Sequence, residues 1–357
     1  MDHQLRRTTL AGRLGDLDVD ALFVTRLPNV RYLTGFTGSN GQALVTASGS
    51  VFFTDGRYTE RSLHEVPDVE RVTYASSAAS ALLEACGRLG VIRLGFEAHD
   101  VSVAAHGRLA EALEGVELVA TQDAVERGRW IKDGEELAAL RDAQRVTDLA
   151  YDDILEWLAI GQTERQVAHQ LELVMRREGA DGMSFEPIVA FGENSAEPHH
   201  EPGHRVLEEG DVVKLDIGAL WAGYHADMTR TIAFGEPAAE LKKVHEIVQE
   251  AQQAGIDGIR EGVIGAEVDA ASRKVIEDAG YGERFSHGLG HGVGLEIHEG
   301  PRLGREFDHA LPAGAVVTVE PGIYIPGLGG VRIEDMVEVT DDGCRVLGTS
   351  TRDLIEL

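Results

Sequence analysis

The chain has 357 residues, 43% apolar and 26% charged, enough for two globular domains with ordinary cores. Its formal charge of −28 excludes the basic face that nucleic acid or an anionic membrane would require, and the acidity reads first as a solvated surface. The N-terminus has basic residues with no apolar run behind them, no later stretch is long and apolar enough to span a bilayer, and Cys86 and Cys344 lie far apart as free thiols, so a reducing cytoplasmic setting is expected.

Residues 1–123 alternate short strands with helical stretches, the order of an α/β domain. Strands are predicted at 21–24, 43–45, 51–53, 91–96 and 116–119, with a hairpin turn at Ser48-Gly49-Ser50. The glycine-rich stretch Gly35–Gly41 lacks the Lys-Ser/Thr ending of a phosphate loop and reads as a structural or pocket-rim loop. The polar stretch Gln122–Gly134 is predicted to connect this domain to a second one, 124–357. There a helix starts at Asp133, where Glu136 completes a capping box. Its apolar positions are Leu137, Leu140, Leu149, Ile154, Leu155 and Leu158, and Gly161 ends it. Thr163 and Gln166 cap the next helix, which buries Val167, Leu171 and Val174 and stops at Gly179. Two more helices are predicted near 239–255 and 266–279, with strands after each pair, so the domain has the element order of a duplication.

Three stretches of the second domain carry chemistry. In the first, 211–231, two β-rich arms bend at Trp221-Ala222-Gly223, which places Asp216 opposite Asp227 on one face, with Cβ atoms about 5 Å apart. Two carboxylates that close need a proton or a metal between them; the plainer reading is that one caps a turn and the other is solvated. The second stretch, 285–299, sets His287, His291 and His298 among glycines that let the backbone pass close to a ligand. In the third, 316–337, a turn near Gly327 brings Glu320 opposite Glu334 between apolar neighbours. An ion pair to Arg332 would satisfy only one of them. Two Asp, two Glu and one imidazole are five donors, an oxygen-rich set suited to divalent ions such as manganese. Two carboxylates bridging two ions is the dinuclear hydrolase arrangement, in which a bridging hydroxide attacks a carbonyl and nearby histidines steady the oxyanion.

With its motifs D-I-G-A-x-x-x-G-Y-x-x-D-M-T-R-T, H-G-L-G-H-G-V-G-L-E-I-H-E, T-V-E-P-G-I-Y and G-V-R-I-E-D, the chain resembles the pita-bread metallopeptidases, the group of methionine aminopeptidase, aminopeptidase P, prolidase and creatinase. The resemblance implies an α+β fold: a C-terminal pita-bread domain behind a smaller creatinase-type α/β domain. It implies Asp216, Asp227, His291, Glu320 and Glu334 as ligands of two divalent metal ions, manganese first, with cobalt or zinc as alternatives. By the same likeness His199 (chosen over His200 on spacing) and His298 are substrate-side histidines, and His287 lines the pocket. Glu320 is also a proton shuttle, and Arg332 supports Asp216. Upstream, Asn29–Gly38 and Thr54–Tyr58 look like the N-terminal domain of bacterial Xaa-Pro peptidases. The implied substrates are small proline-containing peptides, cut at a bond that has no N–H for a protease to grip. Hydroxide would attack, Glu320 would carry the proton to the proline nitrogen, and His298 and His199 would steady the intermediate. Aminopeptidase P is the first expectation and prolidase the alternative. A non-catalytic peptide-binding protein of the same fold is the remote one, and five intact ligands speak against the metal-free creatinase branch. A homodimer touching through the N-terminal domain is expected.

Overall fold

Short apolar runs separated by polar turns build the first of two units in the structure, a computed structural model describing residues 1–357 and divided at Arg129/Trp130. In Met1–Arg129, strand β1 (Ala21–Val24) is buried at every residue, as expected of a run covered on both faces. It sits inside a six-stranded sheet with β2 (Gly41–Thr46), β3 (Gly49–Asp55), β4 (Glu70–Tyr74), β5 (Arg93–Glu97) and β6 (Glu117–Thr121), in the order β4-β3-β2-β1-β5-β6. Helices α1 (His3–Gly12), α2 (Leu27–Thr34), α3 (Thr59–Glu65), α4 (Ala78–Leu89), α5 (Val103–Ala112) and α6 (Glu126–Arg129) accompany it. β1–β2 and β2–β3 are antiparallel and the remaining pairs parallel, which fits the α/β order of the sequence.

Three local details differ from expectation. The β2–β3 register pairs Thr46 with Gly49, so the two-residue turn is Ala47-Ser48, one position earlier than Ser48-Gly49-Ser50. Edge strand β4 went unpredicted because Glu70, Arg71 and Thr73 interrupt its apolar pattern and none of its residues is fully buried. The stretch read as a plain connector folds: Arg129 is 2% exposed, and its guanidinium donates to Asn29 Oδ1 at 2.8 Å. The loop 35–40 is structural. Gly38 leaves room for the Phe36 and Tyr58 rings, and Ser39 Oγ is bonded to Tyr58 OH at 2.6 Å.

The second unit, Trp130–Leu357, opens with α7 (Gly134–Trp157) and α8 (Glu164–Arg177), each started by a complete capping box, Asp133/Glu136 and Thr163/Gln166. Leu149 is exposed, contrary to expectation. The adjoining face of α7 buries Gln144, Thr147 and Asp148 instead, and Asp148 accepts from Thr349 N and Ser350 Oγ. There follow β7 (Gly182–Met183), β8 (Ile188–Phe191), β9 (Val212–Ile217), β10 (Ala219–Trp221), β11 (Tyr224–His225) and β12 (Met228–Ala233). They form the sheets β11-β10-β7 and β12-β9-β8. A second helix pair, α9 (Ala239–Gly258) and α10 (Gly265–Asp278), precedes β13 (Gly290–Gly292), β14 (Glu299–Leu303), β15 (Val316–Val319), β16 (Gly322–Ile325), β17 (Gly329–Arg332), β18 (Asp335–Val339) and β19 (Cys344–Val346). These make a five-stranded sheet β14-β13-β15-β18-β19 and the pair β16-β17. One apolar cluster lies under α7 and α8 and another under α9 and α10, so the helix-pair-then-strands order recurs in packing as well as in sequence. No helix is long and apolar enough to cross a membrane. Both cysteines are free thiols; Cys86 is buried and Cys344 half-buried.

Candidate metal centre and substrate cavity

The first acidic hairpin turns where the sequence indicated, at Ala222-Gly223, with positive φ of 49° and 78° at the two turn residues. Its register is offset from expectation. Asp216 pairs with Thr229, not with Asp227. Asp227 lies two positions further along the register, across from Gly218, where any Cβ would strike the Ala226 carbonyl. The two aspartates therefore share a face as diagonal neighbours, a spacing side chains still span. Glu320 and Glu334 do lie directly opposite. The β15–β18 pairing ends at Val319↔Asp335 and the β16–β17 pairing begins at Gly322↔Arg332, so the two glutamates continue one register between the ladders. A glycine is also required at 290, because the Thr318 carbonyl occupies the space of a Cβ there, and this close approach brings the neighbouring His291 to the same place.

One cavity of about 700 Å³ collects Asp216, Asp227, His291, Glu320 and Glu334, together with His199, His287, His298 and Arg332. Ligand atoms of Asp227, His291 and Glu334 all lie within 4.8 Å of one another. His291 Nε2 is 3.6 Å from Asp227 Oδ2 and 3.4 Å from Glu320 Oε1, while its Nδ1 faces the Gly292 carbonyl at 3.0 Å. Nδ1 therefore donates to that carbonyl and leaves the Nε2 lone pair toward the acids. Asp216 is reached by Arg332 Nη2 at 2.5 Å. Arg332 thus serves Asp216 and neither glutamate, which removes the ion-pair alternative for Glu320 or Glu334. The same guanidinium donates to Tyr324 OH at 2.9 Å, to the Pro198 carbonyl at 3.1 Å and to Thr229 Oγ1 at 3.0 Å. Thr229 Oγ1 in turn donates to Glu334 Oε2 at 2.6 Å, and the Glu334 N–H donates back to the Thr229 carbonyl at 3.0 Å. Thr318 Oγ1 donates to Glu320 Oε1 and accepts from the His291 N–H, both at 3.0 Å.

The electrostatics follow from four buried acids and one arginine. Burial, with Glu334, Asp216 and Glu320 around it, raises Asp227 well above the usual carboxylate range. Burial, then Glu320 and Asp216, does the same to Glu334. Burial lifts Glu320 to about 7 against the opposing pull of Arg332. His291 is pushed down to about 3 and His287 to about 4, each chiefly by burial, so both imidazoles are neutral at working pH. Burial, Arg302 and His199 lower His298, whose ring stands edge-on to His291 with centroids 4.4 Å apart. Buried Asp216 Oδ1 and Glu334 Oε1 have no hydrogen-bond partner. Buried acceptors are normally satisfied, and mutually repelling carboxylates beside a neutral imidazole lone pair are what a divalent cation satisfies. The residues fit a metal.

His287 Nδ1 donates to the Gly288 carbonyl and Nε2 accepts from Tyr324 OH at 2.8 Å. His199 and His200 both line the cavity; His200 Nε2 and Nδ1 are each 2.9 Å from a carboxylate, of Glu164 and Glu197, whereas His199 is exposed. Sequence reasoning passed over Tyr324, Thr229, Thr318 and Arg302. Thr318 was legible by the period of two from Glu320. Arg302 is the register partner of His291, which turns it to the same face.

Two family models match this chain: metallopeptidase family M24 over residues 138–341 and the creatinase/prolidase N-terminal domain over 6–131. The chain belongs to metallopeptidase family M24. The M24 peptidase is 35% identical over 343 residues to a Pyrococcus horikoshii protein named Xaa-Pro dipeptidase, covering 94% of this chain and 95% of the relative. A solved Xaa-Pro dipeptidase from Bacillus anthracis is 40% identical, with a TM-score of 0.98 and complete coverage of both chains. A solved X-Pro aminopeptidase from Thermotoga maritima is 35% identical, with a TM-score of 0.91, 99% of this chain and 100% of that one covered. This M24 chain is a metal-dependent hydrolase of the prolidase and aminopeptidase P branch, and its α+β architecture is the creatinase-type α/β domain followed by the pita-bread domain.

Proposed function

We propose that this M24 peptidase is an Xaa-Pro dipeptidase. The observation that carries this is Arg302, an exposed guanidinium at the cavity wall, opposite His291 in the β13–β14 pairing. Arg332, the other arginine of the wall, is committed to Asp216. Arg302 has no carboxylate partner and lies against the Phe307 ring, its Cζ 5.8 Å from the centroid. A dipeptide's proline carries a free carboxylate beside the scissile bond, and a planar guanidinium takes a carboxylate with two hydrogen bonds. A longer peptide offers no such charge at that point. The Pyrococcus and Bacillus relatives named dipeptidases support this reading over the aminopeptidase P expectation. The T. maritima likeness and a cavity with room beyond a dipeptide favour the second reading, Xaa-Pro aminopeptidase.

Asp216, Asp227, His291, Glu320 and Glu334 would hold two divalent cations, manganese first. When bound, the cations supply Lewis-acid polarisation of the scissile carbonyl and a water-derived nucleophile at neutral pH. The chain's own residues then divide the remaining work. Arg332 and Tyr324 fix Asp216 and His287. Glu320 takes up at Oε the proton released when the nucleophile forms and passes it to the proline nitrogen, which must be protonated to leave. His298 and His199 donate to the charged carbonyl oxygen. A homodimer remains part of the reading, and a sedimentation run tests it.

The deciding experiment sets Ala-Pro against Ala-Pro-amide after metal reconstitution. Wild type should prefer the free acid, and Arg302→Met should lose about tenfold or more in kcat/KM on Ala-Pro while leaving the amide nearly unchanged. Equal loss on both substrates, or faster cleavage of Ala-Pro-Ala than of Ala-Pro by wild type, would overturn the dipeptidase reading.

A further inference from the structure

The segment that carries His199, residues 192–200, contains no strand, yet it must present an imidazole at a fixed place. Lys214 explains how. It lies on β9 two residues before Asp216, on the same face, and its side chain is fully buried. Lysine is almost never buried this deeply without partners. Here Nζ donates to the carbonyls of Ser195 at 3.0 Å and Glu197 at 2.5 Å, and lies 5.3 Å from the centroid of the Tyr324 ring. The next carbonyl along, Pro198 O, accepts from Arg332. On the other side of His199, His200 is gripped between Glu164 and Glu197. The backbone is therefore tied on both flanks of His199, and of the two imidazoles that line the cavity here only His200 is held by carboxylates. Within the first tie, Lys214 is the one group whose side chain does nothing else.

We infer that Lys214 is a positioning residue that sets His199 over the cavity by holding the Ser195 and Glu197 carbonyls. The inference rests on the Xaa-Pro reading of that cavity. It makes β9 serve two purposes with alternate residues: Asp216 points at the metal centre and Lys214 anchors the substrate side. An apolar residue at 214 would leave the buried Ser195 carbonyl and the partly buried Glu197 carbonyl without this donor, and a loop carrying His199 would settle elsewhere. A displacement on the order of 1 Å is enough to matter for a group acting on a reacting centre.

The test is a cycle of Lys214→Met, Lys214→Gln, His199→Ala and the corresponding double variants, assayed on Ala-Pro at fixed neutral pH with manganese. Lys214→Met should lower kcat/KM by about tenfold, and Lys214→Gln, which keeps N–H donors, by about threefold. In the His199→Ala background, either substitution should change kcat/KM by less than about twofold, because the group it positions is gone. Bound manganese per chain should match wild type in every variant. If Lys214→Met is insoluble, Lys214→Gln and its double variant carry the test. Wild-type rates in both single variants, equal losses with and without His199, or lost manganese, which would mean action through Asp216, would each overturn the inference. A wild-type enzyme inert on every Xaa-Pro peptide would instead refute the proposed substrate.

Discussion

The hairpin that carries Asp216 and Asp227 differs from the one that carries Glu320 and Glu334 in how its acids are spaced and supported. The aspartates are offset by two positions, with Thr229 opposite one and Gly218 opposite the other. The glutamates face each other directly in a gap between two ladders. Compensation is crossed as well. The arginine that pairs with an aspartate, Arg332, grows from β17 of the glutamate hairpin, and the hydroxyl that supports Glu334, Thr229, grows from β12 of the aspartate hairpin. Asp216 and Glu334 are each supported from the opposite hairpin, while Thr318 serves Glu320 from its own, so the acids are fully supported only where the two hairpins meet.

Two substitutions, read in three measurements, can break or sharpen that contrast. The largest effect belongs to the glutamate side. Glu320→Gln removes the proposed proton carrier and should lower kcat by about 10²–10⁴ in metal-loaded protein; stopped-assay turnover near wild type would refute the role. Next comes the crossed pair. Arg332→Met leaves Asp216 buried without its cation and should destabilise the metal-free protein by about 3 kcal/mol, read from urea midpoints. An unchanged midpoint would mean that Asp216 never needed the arginine.

The smallest effect is a pH slope. In metal-free protein Glu320 holds its proton to about 7, where an ordinary glutamate releases it near 4.5. Between those values the folded chain binds a proton that the unfolded chain has lost, so raising pH through that window weakens the fold. Glu320→Gln abolishes this contribution. Its melting temperature relative to wild type should rise from pH 5 to pH 8 by the equivalent of about 1 kcal/mol or more, and saturating manganese should reverse the sign. A difference independent of pH would place the Glu320 proton elsewhere.

Much of this was legible in the chain. Capping boxes at Asp133 and Thr163 announced α7 and α8, because an N-cap is written in adjacent residues. The pairing of Glu320 with Glu334 could be counted outward from a glycine turn. The same counting misplaced Asp227 by two positions: the two-residue bend Ala222-Gly223 pairs Trp221 with Tyr224, and that register sets Asp216 against Thr229. Leu149 deceived through periodicity: α7 buries Asp148 and Thr147 toward partners more than 70 positions away, and no local pattern announces that. Lys214 escaped for the same reason. A lysine within an apolar strand reads as an interruption until the carbonyls it reaches are seen.

Thr229 gives and takes a hydrogen bond with Glu334, one through its hydroxyl and one through its carbonyl. A designer who lifted either hairpin alone onto a foreign scaffold would carry away half a cage and no clasp to close it. The smallest portable piece of this peptidase is both hairpins together, joined at that threonine, with β13 beside them to bring His291.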